Sequence, residues 1–208
     1  MTGPQLRHVG LKVGSIEDID AEEAESGIFG FWVFLMSDAI LFALLFAVYG
    51  TQLSATAGAP GPAAEFKIDS AFWETMVLLL SSFTFGMSAL AMKYDHGLRW
   101  VTGMLGVTLL LGVTFLGMEV RDFLTMFHDG ASPQNSGFLS SFFALVPTHG
   151  LHVTAGCCWI LIMVVQIVIF GLDDRVKINL LRLGLFWHFL DVVWIGIFSV
   201  VYLQGIMR

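Results

Sequence analysis

The sequence predicts an all-α, polytopic membrane protein, a bundle of five transmembrane helices. Hydrophobic residues make up 56% of the chain and charged residues only 13%, whereas roughly a quarter of the residues of a soluble domain are charged. Five apolar segments are each long enough to cross a bilayer core of about 30 Å. Because a segment in lipid must satisfy its own backbone hydrogen bonds, each is predicted to be a helix.

The predicted helices run from about Ile28 to Tyr49, Phe72 to Met92, Trp100 to Met118, Phe138 to Phe170 and Leu183 to Ile206. At helical rise the fourth is roughly 50 Å long, so it must tilt, kink or protrude. Pro147 is its predicted kink site because proline removes a backbone donor. The connecting segments are too small for a soluble domain, so we expect residues 28–208 to form one transmembrane domain.

Residues 1–27 are predicted to be an acidic, solvated N-terminal segment in the cytoplasm. It carries much of the net charge of −7, which argues against nucleic-acid binding and against an anionic-lipid anchor. We expect no signal peptide, because the first apolar run begins only near Ile28. Lys and Arg concentrate on the cytoplasmic side of membranes. With a cytoplasmic N-terminus and a periplasmic C-terminus, seven basic residues lie inside and three outside, namely Lys67, Arg121 and Arg208.

Several ionisable residues lie inside the apolar segments, where a charge costs about 3 kcal/mol or more and often marks function. They are Asp38, Glu119, His149, His152, His188 and Asp191. Asp38 is predicted to be buried and protonated, either as a proton-handling acid or as a hydrogen-bond donor across the bundle. Glu119 is predicted to close the third helix and to pair with Arg121. Glu74 is predicted to reach the membrane interface from the rim of the second helix.

The three histidines leave two alternatives open. His149 and His152 are three residues apart, as are His188 and Asp191, and such pairs share one helix face. The histidines are either hydrogen-bond partners of Asp38, Asp191 or Glu119 in one polar bundle core, or ligands of a b-type haem. Neither they nor the adjacent Cys157 and Cys158 form a full metal-ligand set. We therefore expect no catalytic centre, cofactor or metal in this chain.

Five ordered motifs carry a resemblance to a known family. They are Gly30-Phe-Trp-Val-Phe-Leu-Met-Ser-Asp38, Trp73-Glu-Thr75 before Leu80-Ser-Ser82, Gly117-Met-Glu119, Thr148-His-Gly-Leu-His-Val153 and Phe186-Trp-His-Phe-Leu-Asp-Val-Val-Trp194. Together they resemble subunit III of the haem-copper terminal oxidases, from about Gly27 to the C-terminus. Five helices after a polar leader are most similar to the bo-type ubiquinol oxidases. Cytochrome c oxidases and aa-type quinol oxidases that share the short form are the alternative.

The resemblance implies a non-catalytic subunit of a bacterial inner-membrane proton pump. In this family subunit I holds haem and copper, and subunit III packs beside it in a complex with subunits II and IV. Subunit III holds phospholipid in a cleft and supports stability and proton uptake. The family's buried carboxylate falls on Asp38, where most cytochrome c oxidases have glutamate. Without the resemblance, a proton-coupled transporter and a dihaem cytochrome remain alternatives, but the inverted repeats typical of transporters are not visible.

Overall fold

The computed structural model describes residues 18–53, 68–94, 97–128, 134 and 136–203. Within these ranges five helices are long and apolar enough to cross a membrane, and no strand occurs. They are α1 (Asp18–Gln52), α2 (Ile68–Lys93), α3 (Leu98–His128), α4 (Gly137–Phe170) and α5 (Asp174–Ile197), which continues as a π-helical segment, Phe198–Leu203. The predicted five-helix membrane fold is confirmed. Arg7, Lys12, Lys67 and Arg208, which the predicted orientation uses, lie outside the described residues.

Three predicted helix boundaries are wrong. α1 begins at Asp18 rather than near Ile28. α3 does not end at Met118 but continues to His128, because its last turns are amphipathic and pack on α4. There the Phe123 ring lies 5.5 Å from that of Phe143, while Arg121 stays exposed. α5 begins at Asp174 rather than near Leu183, since Val176 and Leu180 are buried in the bundle. The last turns of α3 and the first turns of α5 carry polar residues on their outer faces. In the sequence these polar residues therefore resemble a loop.

α4 and α5 each pack against three other helices of the bundle. α5 packs against α1, α2 and α4; α3 packs against α2 and α4, and α1 also packs against α4. Gly97, with φ of +92°, makes the turn between α2 and α3, and this backbone conformation favours glycine. The pair is held by Ser88, whose hydroxyl donates to the Val101 carbonyl at 3.1 Å. Small residues of α2 therefore do pack within the bundle.

α4 is one continuous helix that includes Pro147. Its N-terminus is capped by Ser136, whose side chain accepts a hydrogen bond from the Leu139 amide at 3.1 Å, as N-cap serines commonly do. It ends at Gly171, with φ of +77°. The length of α4 places His149 and His152 in the interior of the bundle, well away from either helix end.

Candidate functional site

Two tryptophans of α5 connect this helix to α2 by hydrogen bonds. Trp187 Nε1 donates to Ser81 Oγ at 3.1 Å, and Trp194 Nε1 donates to Thr75 Oγ1 at 3.0 Å. Both indoles are fully buried, and a buried indole N–H needs such a partner. Gly112 makes room for the Trp187 ring, because a Cβ there would lie 2.9 Å from it. These contacts fix the rotation of α5 and hence the position of the residues between the tryptophans.

His188 and Asp191 lie on one face of α5, as their spacing predicts. His188 Nδ1 is 3.8 Å from Asp191 Oδ2 and 2.6 Å from Ser82 Oγ on α2. The first distance is too long for a hydrogen bond and the second is well within range. Ser82, which the sequence analysis did not single out as a site residue, is therefore the direct partner of His188. Half of the His188 side chain is exposed, whereas Asp191 is buried.

Asp38 and His152 form a pair between α1 and α4. Asp38 Oδ2 lies 3.7 Å from His152 Nε2, and His152 Nδ1 lies 2.7 Å from the Thr148 carbonyl oxygen. Because a carbonyl only accepts, Nδ1 must carry a proton, so that Nε2 of a neutral ring is an acceptor that faces Asp38. At 3.7 Å the two groups lie within ion-pair distance but beyond hydrogen-bond range, and Asp38 Oδ2 has no hydrogen-bond partner among the described residues. Asp38 is buried, as predicted.

His149 has neither a carboxylate nor a histidine as hydrogen-bond partner. It is fully buried, and both ring nitrogens lack a hydrogen-bond partner. The ring stacks on Trp194 at 5.3 Å between centroids and meets the edges of Phe115 and Phe42 at 6.0 and 6.2 Å. The expected single polar core is therefore several separate pairs, with His149 apart from them.

Two predictions about the glutamates are wrong. Glu74 does not reach the interface, since only 2% of it is exposed, and Glu119, 5% exposed, does not pair with Arg121. Arg121 instead lies 3.2 Å from Asp122 Oδ1 and 3.2 Å from Ser70 Oγ. The physical reason is the extension of α3 beyond Met118, which places Glu119 inside the bundle against Gly150 of α4. Glu74 and Glu119 line one small cavity.

An apolar groove runs over α5 on either side of His188. One part, about 330 Å³, is lined by α1 and α5 residues such as Trp32, Leu35 and Phe189. The other, about 320 Å³, lies between α2 and α5 and is lined by residues such as Phe85, Ala89 and Leu181. The groove exists because α1 and α2 both pack on α5 and leave its surface open between them. Its shape and apolar lining suit an acyl chain.

The residues present do not fit a haem or copper site in the part of the chain that the structure describes. No three His, Cys, Asp or Glu side chains there come together as a metal ion would require. His149 is enclosed by aromatic rings, whereas His188 packs edge-on against Phe85 at 5.9 Å and borders the groove. Two of the three histidines of the haem alternative, His149 and His188, thus lie in different surroundings.

Comparison with known proteins identifies the class to which this bundle belongs. The family described as cytochrome c oxidase subunit III matches residues 14–206. The chain therefore belongs to this family, as the motifs indicate, and is a subunit III of the haem-copper oxidase type.

Individual relatives narrow the similarity further. The chain is 48% identical to the cytochrome bo(3) ubiquinol oxidase subunit 3 of Pseudomonas putida, covering 89% of each chain. It is 44% identical to the protein of the same name from Pseudomonas aeruginosa, covering 93% of this chain and 92% of that one. The cytochrome c oxidase subunit 3 of Bacillus sp. PS3 is 38% identical, covering 89% of both. The predicted resemblance to the bo-type subunit is confirmed.

Proposed function

We propose that this chain is the accessory subunit III of a bacterial proton-pumping ubiquinol oxidase, which oxidises quinol and reduces O₂ to water. The observation that carries the proposal is the 48% identity to a bo(3) ubiquinol oxidase subunit over most of both chains. It is supported by a bundle whose polar groups are paired or enclosed rather than arranged around a substrate. Subunit III of a cytochrome c oxidase is the second candidate, favoured by the 38% identical relative of that name.

In this proposal the redox chemistry belongs to a partner. Haem and copper are held by subunit I, which is the main contact of this chain, and subunits II and IV complete the complex. The chain itself contributes exposed apolar faces, such as the α3 surface around Gly103, Gly106 and Leu110, where small residues leave open space. Small residues allow a partner helix to approach closely in lipid.

Phospholipid is proposed to fill the apolar groove over α5. The groove supports this because it lies inside the membrane-spanning region and is lined almost wholly by apolar side chains. A bound acyl chain would cover the exposed edge of His188 and link α1 to α2, which share few direct contacts. Removal of lipid is therefore expected to loosen the complex.

Asp38 and His152 are proposed to support proton uptake and stability without taking part in redox chemistry. The pair lies near the groove, and the Thr148 contact leaves Nε2 as the ring nitrogen of His152 that faces Asp38 and can take up a proton. Glu74, Glu119, His149, His188 and Asp191 are proposed to be structural residues of the bundle.

The complex is proposed to lie in the bacterial inner membrane, with the N-terminus in the cytoplasm and the C-terminus in the periplasm. Membrane proteins carry an excess of Lys and Arg on the cytoplasmic side. In this orientation the cytoplasmic ends of the helices carry Lys93, Arg99, Arg175, Lys177 and Arg182. A reporter active only in the periplasm should be active when fused after Arg208. A silent fusion there, together with an active one at Met1, would reverse this topology.

The decisive experiment is purification of the tagged chain in mild detergent with its partners. We expect mass spectrometry to find oxidase subunits I, II and IV, and the complex to oxidise ubiquinol rather than cytochrome c. Oxidation of cytochrome c alone would favour the second candidate. The chain separated from subunit I should carry no stoichiometric haem. A haem spectrum that His149→Ala or His188→Ala abolishes would contradict the assignment of redox centres to the partner.

A further inference from the structure

A small cavity lies where α2, α3, α4 and the π-helical segment meet. Its polar lining consists of Glu74, Glu119, Asp122 and Tyr202, and the remaining lining is apolar, from Phe123, Met126, Phe142 and Val146. The volume is about 10 Å³, near the room that one water molecule needs. The cavity is separate from the Asp38–His152 pair and from the apolar groove, and nothing proposed above requires it.

Both glutamates are more than nine-tenths buried, and each has an oxygen without a partner. Oε1 of Glu74 and Oε1 of Glu119 are buried and accept no hydrogen bond from the described residues. α4 makes room for the Glu119 carboxyl group with a glycine, since a Cβ at Gly150 would lie 2.7 Å from both carboxyl oxygens. Buried oxygens of this kind require a hydrogen, whether from water or from a proton on the carboxyl group itself.

The charges around the cavity do not provide a counter-ion. The titratable or charged groups nearby are Asp122 and Arg121 of α3, Tyr202, and Tyr49 of α1. On α4, His149 is the chain neighbour of Gly150, against which Glu119 lies. Arg121 is the one cation in this described set, and its side chain is 67% exposed and engaged by Asp122 at 3.2 Å. Two ionised carboxylates would therefore be like charges in a desolvated site, an arrangement that favours retention of a proton.

We propose that Glu74 and Glu119 form a proton-binding site that holds at least one proton between them at neutral pH, with a water molecule in the cavity. The proton on one carboxyl group supplies the donor that the other oxygens lack, either directly or through the water. Tyr202 lies in the same cavity and adds a hydroxyl group. The inference rests on burial and geometry and does not depend on which electron donor the oxidase uses.

The test is infrared spectroscopy of the purified complex, prepared with ¹³C-labelled glutamate. A protonated carboxyl group has a carbonyl-stretch band that an ionised carboxylate lacks, and the band moves when the proton is exchanged for deuterium. We expect a label-dependent, deuterium-sensitive band in the wild type that is lost in Glu74→Gln, in Glu119→Gln or in both. Glu65→Gln is the matched control, because Glu65 belongs to the Ala-, Gly- and Pro-rich stretch between the first two predicted helices, a composition typical of an exposed connector. It should leave the band unchanged.

The proposal is overturned if the wild-type complex has no such band, or if the band persists in both assembled glutamine variants. Tyr202→Phe keeps the tests decisive if the glutamine variants fail to assemble, because it preserves the shape of the site and removes one hydroxyl group. It should shift the band without abolishing it. An unchanged band in Tyr202→Phe, in the absence of assembled glutamine variants, also overturns the proposal.

Discussion

Asp38 and Glu119 are both carboxyl groups inside apolar helices, and they differ in the groups that face them. Asp38 lies 3.7 Å from an imidazole nitrogen, and its side chain is 13% exposed. Glu119 lies against Gly150 and lines a small cavity with two further carboxyl groups, those of Glu74 and Asp122, and with the hydroxyl group of Tyr202. Asp38 thus faces an imidazole base, whereas Glu119 faces other acids. The Asp38–His152 pair therefore suits exchange of a proton, and the Glu74–Glu119 site suits retention of one.

The largest loss of stability is expected from a substitution that makes the site of the Glu119 carboxyl group smaller. In Gly150→Ala the new Cβ would lie 2.7 Å from the Glu119 oxygens, which forces the buried carboxyl group to move. Overpacking of this kind costs about 1–3 kcal/mol, so we expect a lower unfolding temperature and a smaller yield of assembled complex.

Gly86→Ala is the matched control for this crowding. A Cβ at Gly86 meets nothing within 4 Å, and alanine is favoured over glycine in a helix by about 1 kcal/mol. This variant should be as stable as the wild type or slightly more so. Equal stability of Gly150→Ala and Gly86→Ala would mean that the Glu119 carboxyl group is not confined as described.

A smaller effect is expected when the Asp38 carboxyl group is removed. Asp38→Leu replaces the carboxyl group by an apolar side chain of similar size and leaves His152 Nε2 without the polar group that faces it. An unsatisfied buried acceptor costs about 1–3 kcal/mol, and partial exposure of His152 places the loss near the lower value. Ser37→Ala, a change on the exposed face of α1, is the control. Measurement of thermal stability and of co-purifying subunit I should separate the two variants.

The difference between these two sites also shows what the sequence can predict. The five helices and the burial of Asp38 follow from apolar runs of membrane-spanning length and from the cost of a charge in lipid. The proximity of His188 to Asp191 follows from helix periodicity. These are local properties, which one segment of sequence determines.

The Glu74–Glu119 site is not local. Glu74 lies near the start of α2 and Glu119 in the second half of α3, and the sequence around Glu119 contains Arg121 and Asp122, which indicate an interface. Only the packing of α3 on α4 places Glu119 against Gly150. Tyr202, from the π-helical segment, also lines the cavity. Gly150 admits the Glu119 carboxyl group, but glycines that other helices approach closely also occur elsewhere, as at Gly112.

The smallest structural effect is expected from Asp38→Asn. This variant is also the sharpest test of whether residue 38 exchanges a proton or retains it. Asparagine has nearly the shape of aspartic acid, and its amide group can donate a hydrogen bond to His152 Nε2, as a protonated Asp38 would. Assembly and thermal stability should therefore change by only a few tenths of a kcal/mol, within the scatter of surface substitutions. The amide group cannot release a proton, however, so any exchange between residue 38 and His152 stops.

If Asp38 exchanges a proton during turnover, Asp38→Asn should assemble normally yet show slower proton uptake or a shorter period of sustained quinol oxidation than the wild type. If its role is structural, Asp38→Asn should match the wild type in turnover, while Asp38→Leu assembles poorly. The comparison of the two variants separates these roles because they share the loss of the acid and differ in the hydrogen bond. Normal assembly and sustained activity in both variants would show that Asp38 has neither role. Asp38 would then not differ from Glu119 by exchanging a proton.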